Sequence, residues 1–309
     1  MLRKLAYFNI VTGILVILIG LGFNFKEEIV TFYNEKGTKK FTKEVEITPQ
    51  NDYYRDYDFE FVQNTTNSTP NSYQELLNLI YSIINNGYTS FSFYCGDEYA
   101  YCIDDVKSIA KSNDILSTIN NYVHPYNSFD LIETGCKGDR IYFQIRHKYS
   151  DAQIEEINKK VDEIMDSTVN MNEIQMDSIR KIHNYIINNT KYDSARADSN
   201  IIDYDSDIAY GPLLEGYALC GGYTEAMELF LEKLHIKSFR VASEEHIWNA
   251  VELNNIWYNL DLTWDDPVVD TGINLLDDTY FMVDTKTMQE NDMTEHDFYK
   301  EYYKELKNT

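Results

Sequence analysis

Two apolar, aromatic runs, Glu245–Leu253 and Ile256–Thr263, are separated by Asn254-Asn255 alone. Asparagine tolerates the left-handed backbone that tight turns need, so two strand-like runs joined this way read as a β-hairpin. A two-residue turn fixes the register. Leu253 faces Ile256, Trp248 faces Asp261, and His246 faces Thr263. Side chains alternate between the faces of a sheet, so His246, Trp248, Asp261 and Thr263 share one face. His246 is then the diagonal neighbour of Asp261, within side-chain reach. One more residue in the turn would put the histidine and the aspartate on opposite faces.

A cysteine precedes this hairpin in a matching context. After Cys220-Gly221-Gly222, the apolar residues Tyr223, Met227, Phe230, Leu231 and Leu234 follow helical spacing. Cys220 therefore stands at or just before the first turn of a helix. Unpaired N–H groups and the positive end of the helix dipole favour a thiolate there. Gly221 and Gly222 are expected to leave room for a substrate backbone. A lone cysteine is more often a small buried hydrophobe, and a lone strand histidine is more often a hydrogen-bonded core residue. A cysteine, a histidine and an aspartate in hairpin-compatible positions read instead as nucleophile, base and orienter.

The residues around these three carry a family resemblance. Ala209-Tyr-Gly-Pro-Leu-Leu-Glu-Gly-Tyr-Ala-Leu-Cys220-Gly-Gly-Tyr223, then His246-Ile-Trp-Asn249, then Trp257-Tyr-Asn-Leu-Asp261-Leu-Thr-Trp-Asp-Asp-Pro267, form three ordered blocks. They resemble the bacterial branch of the transglutaminase-like superfamily, from about Ile174 to Phe298. The resemblance includes the helix around Ile179–Ile187 and the later Thr279–Asp284. It implies a papain-like α+β core with a Cys-His-Asp triad: Cys220 as nucleophile, His246 as base, Asp261 as orienter. Gly221 follows the cysteine where animal-type transglutaminases carry Trp.

The chemistry implied is acyl transfer on protein or peptide amides, with no cofactor. The Cys220 backbone N–H is the natural first oxyanion donor. Tyr210, Tyr217 and Trp248 are candidates for the second. An amine acceptor makes the protein a transglutaminase, and water makes it a cysteine peptidase or amidase. The triad is the same in both. An inactive surface scaffold or adhesion module is the alternative from another class. The six histidines do not cluster and no cysteine pair has metal-ligand spacing, so no metal site is expected. The acidic stretch Asp203–Asp207 lacks the spacing of a calcium loop.

The rest of the chain surrounds this core. Arg3 and Lys4 precede a 19-residue apolar run, Leu5–Phe23. At about 1.5 Å per residue such a helix just spans a bilayer core. Residues 1–23 are expected to be a membrane anchor with the bulk of the chain outside the cell, and a cleaved signal peptide is the alternative. Residues 24–71 read as a stalk or linker, with the polar tract Gln63–Ser72 as its boundary. Residues 72–168 read as a small α/β domain. Its helices are expected over Leu76–Ile84 and Ile154–Met165, and its strands over Ser90–Tyr94 and Ile141–Ile145. Residues 169–309 form the expected catalytic domain. The whole is α+β: a transglutaminase-like core whose cysteine helix packs on an antiparallel sheet, preceded by the small domain and a transmembrane helix. Net charge is −24, with 51 acidic against 27 basic residues, which argues against a nucleic-acid partner. Cys95 and Cys102 flank a short loop. Outside the membrane they can pair, and two buried thiols are the other reading. Cys136 has no evident partner.

Overall fold

Asn254 and Asn255 both adopt left-handed backbone, with φ of 55° and 62°, and close the expected hairpin. The computed structural model describes residues 46–170, 173–266 and 277–307. Within them the elements run α1 (Tyr73–Asn85), β1 (Ser90–Tyr94), α2 (Cys102–Ile109), α3 (Asn113–Asn121), β2 (Phe129–Lys137), β3 (Arg140–His147), α4 (Asp151–Thr168) and α5 (Gln175–Asn189). They continue with β4 (Lys191–Tyr192), α6 (Ser194–Ser199), a π turn at Gly211–Glu215, β5 (Tyr217–Ala218), α7 (Cys220–Lys233), β6 (Ser238–Ala242), β7 (Ile247–Leu253), β8 (Ile256–Leu260) and α8 (Thr285–Asn291). The architecture is mixed helix and sheet.

The register of β7 on β8 is the one the turn dictates: Leu253 opposite Ile256, Ala250 opposite Asn259 and Asn249 opposite Leu260. Both strands are shorter than the apolar runs. β8 stops at Leu260 because the Asp261 carboxylate accepts the N–H groups of Thr263 (2.9 Å) and Trp264 (3.2 Å), which folds the chain into a turn. β7 begins only at Ile247 because Ser243–His246 forms the tight connection from β6. There Ser243 N–H donates to the His246 carbonyl, and His246 N–H donates to Ser243 Oγ. β6 pairs antiparallel with β7, giving the order β6-β7-β8.

This sheet is buried on both faces. Phe239, Val241, Trp248 and Ala250 join the cluster that holds Leu76, Ile80 and Phe143. Val251, Leu253 and Leu260 join Met227 and Phe230 of α7, Ile182 and Ile186 of α5, and Val161 of α4. Residues on both sides of position 168 therefore share both clusters. The other three-stranded sheet, β1-β3-β2, is antiparallel throughout. Its alternation buries Phe91, Phe93, Ile141, Phe143 and Ile145 against the helices. Ser72 caps α1, and a capping box of Ser150 and Gln153 starts α4.

Residues 46–71 contain no helix or strand, yet Ile47, Phe59, Phe61 and Val62 are buried in the first cluster. What composition reads as a stalk is, over this stretch, part of the packed core. Arg55 shows why. Its guanidinium donates to Glu228 Oε1 of α7 (2.7 Å) and to the Tyr122 carbonyl (2.9 Å). Arg240 of β6 donates to the other oxygen, Glu228 Oε2 (2.7 Å), and to Val123 O and Ser128 Oγ. All three side chains are almost wholly buried. Glu225, one turn earlier on α7, accepts from Lys148 Nζ (2.9 Å) and from the Tyr149 hydroxyl. The cysteine helix is thus held from behind by two buried carboxylates.

Cys95 and Cys102 form a disulfide between the end of β1 and the start of α2. Cys136 is an exposed free thiol. Among the described residues no helix is long and apolar enough to cross a membrane. The expected anchor, residues 1–23, lies outside the described residues.

Candidate active site

Cys220 is the first residue of α7 and is half-buried. At that position its backbone N–H has no acceptor within the helix. Thr224, one turn on, donates its hydroxyl to both the Cys220 carbonyl (2.7 Å) and the Ile247 carbonyl (3.0 Å). That single hydroxyl ties the first turn of the helix to the first residue of β7, beside His246. Asn249 Nδ2 adds a bond to the Thr224 carbonyl (3.0 Å).

His246 and Asp261 meet where the hairpin register brings them. His246 Nε2 lies 2.5 Å from Asp261 Oδ2. His246 is 7% exposed and Asp261 is 1% exposed. With Nε2 engaged, Nδ1 is the ring nitrogen left for Cys220, which interacts electrostatically with the ring. Burial pulls the His246 imidazolium down. The Asp261 charge, and hydrogen bonds to Asp261 and Cys220, outweigh it and raise the group to about 10. Burial pushes Asp261 the other way, but the charge of His246 and hydrogen bonds from His246 and His296 hold it well below the ordinary carboxylate range.

Sequence reasoning misses His296. Its Nε2 lies 3.0 Å from the same Asp261 Oδ2, and its Nδ1 lies 3.0 Å from the Asp292 carbonyl. The ring is fully buried. It sits among Trp248 (5.1 Å between ring centres), Tyr280 (5.1 Å) and Trp264 (5.7 Å). His296 comes 35 positions after Asp261 in an irregular segment, so neither periodicity nor a local motif marks it. Among the described residues, His246, Asp261 and His296 come near enough to one another to hold a metal ion. Their 2.5 and 3.0 Å separations are hydrogen-bond distances, shorter than the roughly 3.3 Å edge of a zinc tetrahedron with bonds near 2 Å.

The expected oxyanion donors each have another partner. The Trp248 ring N–H, its one donor, is bonded to Asn259 Oδ1 (2.9 Å). Its ring lies flat against His246 at 5.8 Å and 20°. The Tyr210 hydroxyl donates to Glu156 (2.7 Å). Tyr217 stacks on Tyr204 at 4.1 Å. Tyr192, which sequence reasoning also misses, lies within electrostatic reach of Cys220. Burial raises its hydroxyl first, and the charge of Cys220 raises it next. The parallel pairing of Tyr192 with Ala218 brings it there. Trp257 packs on Phe239 in the core.

The two glycines have a different occupant from the one expected. A Cβ on Gly222 would stand 2.3 Å from the Ser206 carbonyl oxygen, and one on Gly221 would stand 2.8 Å from that of Asp207. The space is filled by the protein's own backbone, which also accepts the Leu219 N–H at Ser206 O. Asn249 and Asp265, the other residues near enough in sequence to orient His246, have other partners. Asn249 faces α7, and Asp265 Oδ2 lies 3.1 Å from His183 Nε2.

No family model matches the sequence, and no curated protein matches it. Among solved structures, a TGase aligns with a TM-score of 0.32 at 14% identity, over 44% of this chain and 44% of that one. A candidate cysteine protease from Cytophaga hutchinsonii aligns with a TM-score of 0.27 at 12% identity, over 43% of this chain and 61% of that one. The chain covers less than two thirds of the length of either.

Proposed function

We propose that this protein is a transglutaminase-like thiol enzyme that transfers acyl groups from protein or peptide amides. The observation that carries the reading is the His246–Asp261 bond. It fixes Nε2 on a buried carboxylate and leaves Nδ1 for a cysteine at a helix N-terminus. With its proton already held by His246, the Cys220 thiolate forms a bond through Sγ to the amide carbonyl carbon. The tetrahedral oxyanion is met by the Cys220 N–H. The C–N bond then breaks, and the leaving amine takes the proton from His246, which leaves a thioester. An incoming amine or water gives its proton to His246, attacks the thioester carbon and releases the Cys220 thiolate, which restores the ion pair. Asp261 holds the ring orientation and balances the imidazolium throughout.

The reading includes a location outside the cell on a membrane anchor at residues 1–23. The Cys95–Cys102 disulfide supports an oxidising compartment, and the basic start before the apolar run supports the orientation. Protease shaving of intact cells should remove the Cys220 domain, and full protection would contradict this topology. Amine incorporation run beside peptide hydrolysis on the purified chain tests the chemistry. Cys220-dependent turnover in either assay supports it. Absence of turnover together with no labelling of Cys220 by a peptide-based electrophile would leave a scaffold.

A further inference from the structure

Asp261 Oδ2 is shared by two imidazoles, and the sharing fixes more than orientation. The Asp292 carbonyl can only accept, so His296 Nδ1 must donate to it at 3.0 Å. A carboxylate can also only accept, so His296 Nε2 must donate to Asp261 Oδ2 at 3.0 Å. A ring that donates from both nitrogens is an imidazolium. Asp261 Oδ1 is separately engaged by the N–H groups of Thr263 and Trp264. Every acceptor site of this carboxylate is therefore occupied by a donor.

We infer that His296 is a second imidazolium, donating from both ring nitrogens, that positions Asp261 and balances its charge, so that the site is neutral when Cys220 and His246 form their ion pair. The order is thiolate, imidazolium, carboxylate, imidazolium. Without His296 the same pair would leave one net negative charge beside the buried His246 and Asp261, which is costly. The titratable groups around His296 are His246 and Asp261 at Nε2 and Asp265 beyond them. Tyr280 lies against one face, Asp277 stands near Tyr280, and Asp292, Glu295 and Asp297 lie on its own segment. Apart from His246, all are acids or a phenol, which favours a cation at this position. His296 touches no reacting atom and acts through Asp261.

The inference rests on the thiol-enzyme reading, and its test is chosen to fail separately. Ring nitrogen shifts of His296 are measured in the 15N-histidine-labelled full chain. Both nitrogens should be protonated from pH 6 to 8, and a neutral ring at pH 8 would overturn the proposal. Cys220 alkylation by iodoacetamide is then followed against pH by mass spectrometry, with the exposed thiol of Cys136 as internal reference. In His296→Gln, which keeps one donor and loses the charge, the alkaline limit set by His246 should rise by at least about half a pH unit. That is about a threefold change in proton concentration. A profile superimposed on the wild type would also overturn it. Should His246→Ala leave the alkylation profile unchanged, the thiol-imidazole reading falls, and the nitrogen spectrum still decides His296. The same spectrum decides it if His296→Gln does not fold.

Discussion

His246 Nε2 and Asp261 Oδ2 lie 2.5 Å apart although the residues are 15 positions apart in the chain. The turn at Asn254-Asn255 sets that distance, because the parity of a two-residue loop places both side chains on one face. Cys220→Ala should abolish turnover. Asp261→Asn should lower it by about three to four orders of magnitude, since the amide no longer balances the imidazolium or holds its tautomer. Combining the two should add almost nothing, because members of one catalytic unit are not additive. Steady-state rates of the two single variants and the double variant check this.

Tyr192 should matter where Tyr210 does not. The Tyr192 hydroxyl lies in the electrostatic reach of Cys220, while that of Tyr210 bonds Glu156. Tyr192→Phe should lower kcat by about 10- to 100-fold, the scale of one lost oxyanion donor or less. Tyr210→Phe should change kcat less than about twofold. Equal effects in a kcat comparison would remove Tyr192 from the site.

Stability should depend on pH on both sides. Asp261 is held below its ordinary value of 3.8, so its contribution is complete above that value and is lost as pH falls through its folded value. His246 is raised from 6.5 to about 10, so its contribution is complete below about 6.5 and is lost as pH rises toward 10. Tm should therefore be highest between about pH 4 and 6.5 and decline toward pH 10. Asp261→Asn should flatten the alkaline decline, which a Tm series from pH 4 to 10 reads directly.

The disulfide should serve stability alone. Cys95 and Cys102 are separated by 7 positions, and closing so short a loop stabilises by about 2 kcal/mol in the chain-entropy account. Replacing both by Ala should lower the unfolding free energy by about that amount, measured in urea. Turnover of the folded variant should be unchanged.

Arg55→Met should be more damaging than its place before the first helix suggests. It removes one cation from a buried Glu228 and leaves the carboxylate with Arg240 alone. Breaking such a pair costs about 3–5 kcal/mol. Chemical denaturation of Arg55→Met beside an exposed control, Lys286→Met, tests the difference.

What the sequence discloses here is what is local. Hairpin parity, the helix after Cys220, and the strands at Ser90–Tyr94 and Ile141–Ile145 follow from spacing and turn chemistry within a dozen residues. His296 and Tyr192 do not, because a long irregular segment and a two-residue parallel pairing bring them in. Gly221 and Gly222 were legible as a close approach, but not as an approach by Ser206 and Asp207. Arg55 reads as one more charge in a polar stretch, since nothing beside it in sequence announces Glu228. Trp248 was legible as a neighbour of the pair, whereas its N–H is taken by Asn259, on the strand it faces.

The charge arrangement behind α7 also bears on how such a chain can be inherited. The helix that begins at Cys220 places two buried acids, Glu225 and Glu228, on its rear face. Their counter-charges come from Lys148 and Arg55, more than 70 positions upstream, as well as from Arg240. A recombination event that moved residues 169–309 into another host would carry the thiol, both imidazoles and the carboxylate. It would leave Glu228 with one cation in place of two and Glu225 with none. A graft of the hairpin and helix alone would arrive with its acids unanswered unless the segment from Arg55 to Lys148 came with it.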